Sequence, residues 1–328
     1  MKKITLLLFA FGLFSVYAQQ NSPWQSVEKS GLQTVSKVER TSVVNKFDAY
    51  ALDLSTFKSQ LQNAPLRGVS TTISTHITYF PNAEGEIQPY RIYEAPVMHK
   101  DLQVQFPDIK SYVGVAVNDK FSTVRFSTTR FGVHAMILSP KGTVYIDPYT
   151  ADLNHYMVYR KKDAVSSSSF ECLTADSDIN TDKPAFFSPK NAYDIESNTG
   201  IFRTYRLGLA CTVEYAQYHI NLAGVSTGTV AERDNAVLSA MNVTMTRVNG
   251  LFERDMSLTM VIVPNNTNVI FFLPEKPDAL TNSSGSSLIN EIQPIMNAGI
   301  GAANYDIGHV FSTGGGGIAQ LNSPCSAN

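Results

Sequence analysis

The chain has no excess of either charge, little charge altogether and only three cysteines, and each shortage removes a class of protein. Its 26 basic and 28 acidic residues leave a net charge of −2, with no basic stripe interleaved with aromatics. Nucleic-acid binding therefore has no electrostatic footprint here. With 16% charged against 43% apolar residues, the composition excludes a disordered chain and fits a core-forming one. After the N-terminus, no segment approaches the roughly 20 apolar residues that a membrane span needs. The cysteines Cys172, Cys211 and Cys325 are odd in number, so in an exported chain at least one is free or pairs outside this sequence.

What is present begins with an export signal. Lys2 and Lys3 give a positive start, Ile4 to Val16 form a short apolar run, and Val16-Tyr17-Ala18 is an A-x-A-like cleavage site. This pattern predicts removal of residues 1–18, a mature chain starting near Gln19, and a secreted or extracytoplasmic location.

A length of 328 residues suggests two domains. Residues 19–163 read as β-rich and antiparallel, most clearly from about residue 45 onward. Ser70 to Phe80 is rich in β-branched and aromatic residues, and short strands are expected at Tyr90–Tyr93, Tyr112–Val117, Thr123–Ser127, Ala135–Leu138 and Thr143–Ile146. Pro140-Lys141-Gly142 marks the turn between the last two. Residues 164–200 read as an acidic, serine-rich linker: six acids face two bases, Lys183 and Lys190. Arg160-Lys161-Lys162 before it is either a processing site or solvated surface.

From Thr204 the pattern changes to α/β. Thr204 to Ala210 reads as a strand. Thr229-Val-Ala-Glu232 is a capping box, in which hydroxyl and carboxylate each satisfy a backbone amide. The helix it opens carries Val237, Met241, Met245, Val248 and Phe252 on one face. Met256 to Val263 then reads as a strand, joined to the first by a parallel crossover. A helix over Leu288–Ala303, started or kinked by Pro294, leads to a strand at Ile307–Ser312. The last residues read as a glycine turn and an exposed edge strand.

These residues resemble a known family. The run Thr246-Arg-Val-Asn-Gly-Leu-Phe-Glu-Arg-Asp-Met-Ser-Leu-Thr-Met-Val-Ile-Val263 is similar to the first long helix and second strand of reprolysin-like (adamalysin-type) metzincins. Tyr305 to Cys325 resembles that family's next strand, its rim strand and the cysteine after it. The resemblance spans residues 201–328. It implies an α+β protein in which a β-rich antiparallel pro-region precedes the first half of a metzincin-type α/β catalytic domain. The implied chemistry is zinc-dependent peptide hydrolysis, with three His nitrogens on Zn²⁺ and a Glu acting as base for the bound water.

The family's H-E-x-x-H motif is not among these residues. The six histidines are His76, His99, His134, His155, His219 and His309, and the nearest two, His134 and His155, are 21 positions apart. Two histidines four apart are needed to bring both imidazoles to one ion on a helix face. The zinc helix is thus expected beyond Asn328, and the chain alone is expected to hold no stoichiometric zinc.

The resemblance assigns substrate alignment to Gly316, Gly317, Ile318 and Ala319, through antiparallel pairing with an extended peptide or protein substrate. A flexible loop tip is the plainer reading of Gly314 to Gly317. A phosphate loop is disfavoured because no Lys-Ser/Thr follows. Cys172 is either a latency cysteine that occupies the zinc, or a structural partner of Cys211. For Cys325, the resemblance implies a disulfide to a cysteine beyond the chain. Glu214 and Asp306 are oxygen donors suited to a calcium site of the kind some relatives carry, or else solvated acids. His309, alternating with Ile307 and Phe311, reads as a hydrogen-bonded structural residue. The alternative to a secreted metalloendopeptidase is a secreted binding protein that uses its β-rich domain and exposed edge strand to hold partners.

Overall fold

The computed structural model describes residues 22–40, 42–68, 73–166 and 201–319. Period-two alternation organises the first part. Its strands are β1 (Trp24–Val27), β2 (Ser42–Val44), β3 (Asp48–Leu52), β4 (Ile77–Pro81), β5 (Ile87–Glu94), β6 (Lys110–Ala116), β7 (Thr123–Thr129), β8 (Gly132–Ser139), β9 (Gly142–Pro148), β10 (His155–Arg160) and β11 (Ala164–Ser166). Nine of them form one antiparallel sheet in the order β1-β3-β10-β9-β8-β7-β6-β5-β4, and β11 pairs with β2 separately.

Alternate residues such as Ile92, Phe126, Ala135, Ile146 and Tyr156 point into a single apolar core. The sheet curls until its two ends meet. There the Trp24 indole N–H of β1 donates to Tyr79 O of β4 at 2.7 Å, and the ring packs edge-on against Phe57 and Tyr156. Phe57 and Leu61 come from helix α1 (Leu54–Leu61), which Asp53 caps by accepting from Thr56 N–H at 3.0 Å.

The expected strand over Ser70–Phe80 starts only at Ile77. Upstream, Ser74 N–H donates to Tyr93 OH and its carbonyl accepts from Arg91, so side chains take backbone groups that a ladder would use. The first three residues assigned to the linker, 164–166, are β11, paired Ala164 to Val44. Arg160 of the basic triplet is likewise built into the sheet opposite Val144. The signal segment and the remainder of the linker lie outside the described residues.

The second part is a parallel sheet of β12 (Arg203–Cys211), β13 (Leu258–Ile262) and β14 (Ile307–Phe311), in the order β13-β12-β14. The central strand β12 is covered on both faces, which is why Leu207–Cys211 runs apolar without alternating. On one face Leu207 and Leu209 meet helices α3 (Val213–Leu222) and α4 (Val230–Met256). On the other, Gly208 and Ala210 meet helix α5 (Gly285–Gly299). A Cβ on Gly208 would lie 2.9 Å from Met296 Sδ, so a larger residue there would have to displace the side chains that α5 packs against the sheet.

The capping box forms as expected: Thr229 Oγ1 accepts from Glu232 N–H, and Glu232 accepts from Thr229 N–H at 2.8 Å. A Thr229→Ala variant is expected to lose about 1 kcal/mol in urea-induced unfolding. α4 runs on to Met256 and stops at a left-handed Ser257, φ 53°, so β13 starts two residues later than expected. α5 begins three residues early, because Ser284 caps it by accepting from Ser287 N–H.

α4 carries two stripes. The apolar one packs onto β12 and β13. The other, Asn242, Thr246, Gly250 and Glu253, lies on the outer face of the curled sheet. Ser111 hydroxyl is 3.0 Å from both Asn242 Oδ1 and Thr246 Oγ1, and a Cβ on Gly250 would meet Arg125 Cγ at 2.7 Å. The two parts also share apolar core. Ile262 N–H of β13 donates to Val97 O, and His99 N–H donates to Ile262 O, both at 2.8 Å. Residues 97–99 thus continue the parallel sheet beyond β13. Helix α2 (Lys100–Gln105) follows, and Leu102 and Ile109 are fully buried among residues of the second part.

Candidate functional site

β14 is the outer strand of the parallel sheet on the side away from β13. The segment after it is positioned by Asn282. That side chain donates to Thr313 Oγ1 at 2.8 Å, while its Oδ1 accepts from Thr313 N–H at 3.0 Å and from the Thr212 hydroxyl at 2.8 Å. Thr212 also caps α3, so one asparagine ties the end of β12 to the start of the glycine run.

Two glycines there are dictated by geometry. A Cβ on Gly314 would lie 2.5 Å from Asn282 O, and Gly316 holds φ 88°, a left-handed value that L side chains avoid. Residues 313–316 bend, and Gly317 makes only a single bridge, so among the described residues Gly316, Gly317, Ile318 and Ala319 do not form a continuous strand. A cleft lies between this run, the outer edge of β14 and α5, with Leu288, Ile292 and Tyr305 on its wall. Proline at Gly316 would demand φ near −65°, so that substitution would disrupt the turn and could not isolate substrate alignment.

The other candidates are not brought together. Asp306 is taken by Arg206: its Oδ1 accepts from Arg206 Nη2 at 2.7 Å and its Oδ2 from the Arg206 backbone N–H at 2.7 Å. Those bonds hold the Asp306 carboxyl below its ordinary value. Glu214 lies just beyond the opposite end of β12, five strand residues away or roughly 16 Å. Of the two readings of these acids, a shared calcium site is not supported: a guanidinium neutralises one acid, and the other is out of reach. His309 also differs from expectation: its ring is edge-on to Phe311 at 5.4 Å, and its side chain makes no hydrogen bond among the described residues. Cys211 is a free thiol in the core, pushed up to about 12 by burial. Cys172 and Cys325 lie outside the described residues.

Among the described residues, no group of three His, Cys, Asp or Glu side chains could hold a metal ion. The donor set of a zinc site is thus not met by them, and no catalytic step through zinc is assigned to them.

Sequence reasoning missed two charged clusters under α4. In the first, Asp147 is 4% exposed and accepts from Tyr159 OH at 2.7 Å and Arg247 Nη2 at 2.5 Å, with His134 Nδ1 at 2.7 Å and Arg40 Nη2 at 3.5 Å. Burial alone would raise its pKa, but Arg247, His134 and Arg40 outweigh it and hold the carboxyl well below the ordinary range. In the second, Glu253 bridges Arg125 and Arg67, with Arg67 Nη1 at 2.5 Å. Burial, with repulsion from Arg67, pushes Arg125 down to about 9. Asp147 and Arg247 are 100 positions apart, and no local pattern signals such a pair.

Residues 238–328, from within α4 onward, match the protein-family model described as Metallo-peptidase family M12B Reprolysin-like. No curated protein matches the chain. The matched segment is similar to reprolysin-like metallopeptidases, in agreement with the resemblance carried by Thr246–Val263 and Tyr305–Cys325.

Proposed function

We propose that this chain is the front portion of a secreted zinc-dependent metalloendopeptidase. Residues 1–18 are its export signal, 19–163 its β-rich pro-region, and 201–328 the substrate-aligning half of its catalytic domain. The observation that carries this reading is the outer edge of β14 with its glycine turn, lying within the segment that matches the family model. An extended peptide bound along such an edge is held by main-chain hydrogen bonds, which fix register without demanding one sequence.

The residues of this chain bind and orient in this proposal. Asn282 fixes where the run after β14 starts, and α5 forms the wall beside it. The metal ligands are assigned to the zinc helix beyond Asn328, and Cys325 to a disulfide partner there.

Extending the protein by whatever the coding sequence supplies after Asn328 tests this. The extension is expected to contain H-E-x-x-H and to cleave an unfolded protein substrate, with cleavage abolished by a chelator and restored by zinc. An extended or complete chain that lacks the motif and cleaves nothing would favour the binding-protein reading.

A further inference from the structure

We infer that the N-terminal sheet is a permanent folding partner of the C-terminal unit and remains bound to it when the chain between Ser166 and Ile201 is cut. A removable pro-segment leaves behind a surface that can meet water. Here separation would open the interior. Met98, Leu102 and Ile109 are buried in the same cluster as Leu207, Met260 and Ile262, so pulling the first part away exposes core on both sides. The main chain would lose its partners too, because Val97 and His99 pair with Ile262 and cover the outer edge of β13.

The polar contacts point the same way. Ser111, Asn242 and Thr246 are buried against one another, and Asp147 and Glu253 each hold guanidinium groups from the opposite side of the interface. A glycine at position 250 lets the helix approach Arg125 and Met136 closely, as obligate interfaces do. These contacts concern the β13 side and α4, whereas β14 is on the far side of β12. A cut chain therefore keeps its N-terminal sheet without that sheet pairing along β14. The inference stands on the shared core and does not depend on the peptidase reading.

The test uses the full chain with a site-specific protease sequence placed within residues 176–190. After complete cutting, size-exclusion chromatography in native buffer is expected to give one peak at the elution volume of the uncut protein. Both fragments should be present in it at one to one, and dilution should not separate them. Fragments that elute apart, or a C-terminal fragment found alone or only in aggregate, would overturn the inference. In the cut chain, Met98→Ala is expected to release the fragments at a lower urea concentration than the cut wild type. An unchanged release point would contradict the role of residues 97–99, and if that variant does not fold, the wild-type result alone decides.

Discussion

Asp147→Ala is expected to destabilise the protein by about 3 kcal/mol, read from urea-induced unfolding of the intact chain. The variant removes the one carboxylate at which Arg247, Arg40, His134 and Tyr159 converge. The two guanidinium groups are 26% and 21% exposed, so water relieves part of their mutual repulsion, and the loss falls at the low end of what breaking a buried pair costs. The pH dependence has a defined sign. Because the folded-state pKa of Asp147 is depressed, its contribution is complete above the ordinary value of 3.8 and is lost as pH falls below it. Wild-type stability should therefore drop more steeply below pH 3.8 than that of Asp147→Ala. Equal slopes would mean that the carboxylate is not ionised against these cations.

Glu253→Ala is expected to cost more, about 3–5 kcal/mol. The Arg125 side chain is only 7% exposed, so removing Glu253 leaves a buried cation without a counter-charge. Arg67 differs, being 34% exposed, and can turn outward. A Glu253→Met, Arg125→Met double variant is expected to recover most of the loss, because a well-packed apolar pair of similar size is close to neutral. If the double variant is as unstable as the single one, packing and not charge is the reason. Loss of either cluster weakens the same interface, and in the cut chain Glu253→Ala should promote separation of the fragments.

What the sequence made legible was local. Thr229 and Glu232 announced the start of α4, Pro140-Lys141-Gly142 the β8–β9 turn, and the spacing from Val237 to Phe252 the helix face that packs onto the parallel sheet. Those signals depend on residues within a few positions of each other. The second stripe of α4 was not legible, because Asn242, Thr246 and Glu253 look like a solvated face until a distant sheet is laid over them. Val97–Ile109 was hidden for a related reason. A short stretch between two strands reads as a connection, and nothing local says that its core belongs to residues from Leu207 onward. At the candidate site, β14 could be placed from its own pattern, whereas the edge strand expected over Gly316–Ala319 is a bent run among the described residues. The anchor of that run, Asn282, could not be foreseen, since a single asparagine in a loop has no periodicity to detect.

These findings change how the two parts relate. The sequence suggested a β-rich pro-region and a half-domain joined by a linker. In the structure, the N-terminal sheet and the parallel sheet are joined through a continued sheet, a common apolar core and two charged clusters. Of the two outer edges of the parallel sheet, one is covered by residues 97–99, and the other, along β14, carries the proposed peptide-aligning role.

Elemental analysis for zinc after dialysis, on the 328-residue chain and on the chain extended past Asn328, separates the peptidase reading from the binding-protein one. No stoichiometric zinc is expected in the first and one zinc per molecule in the second. One zinc per molecule in the 328-residue chain, or none in an extended chain that contains H-E-x-x-H, would contradict the peptidase reading.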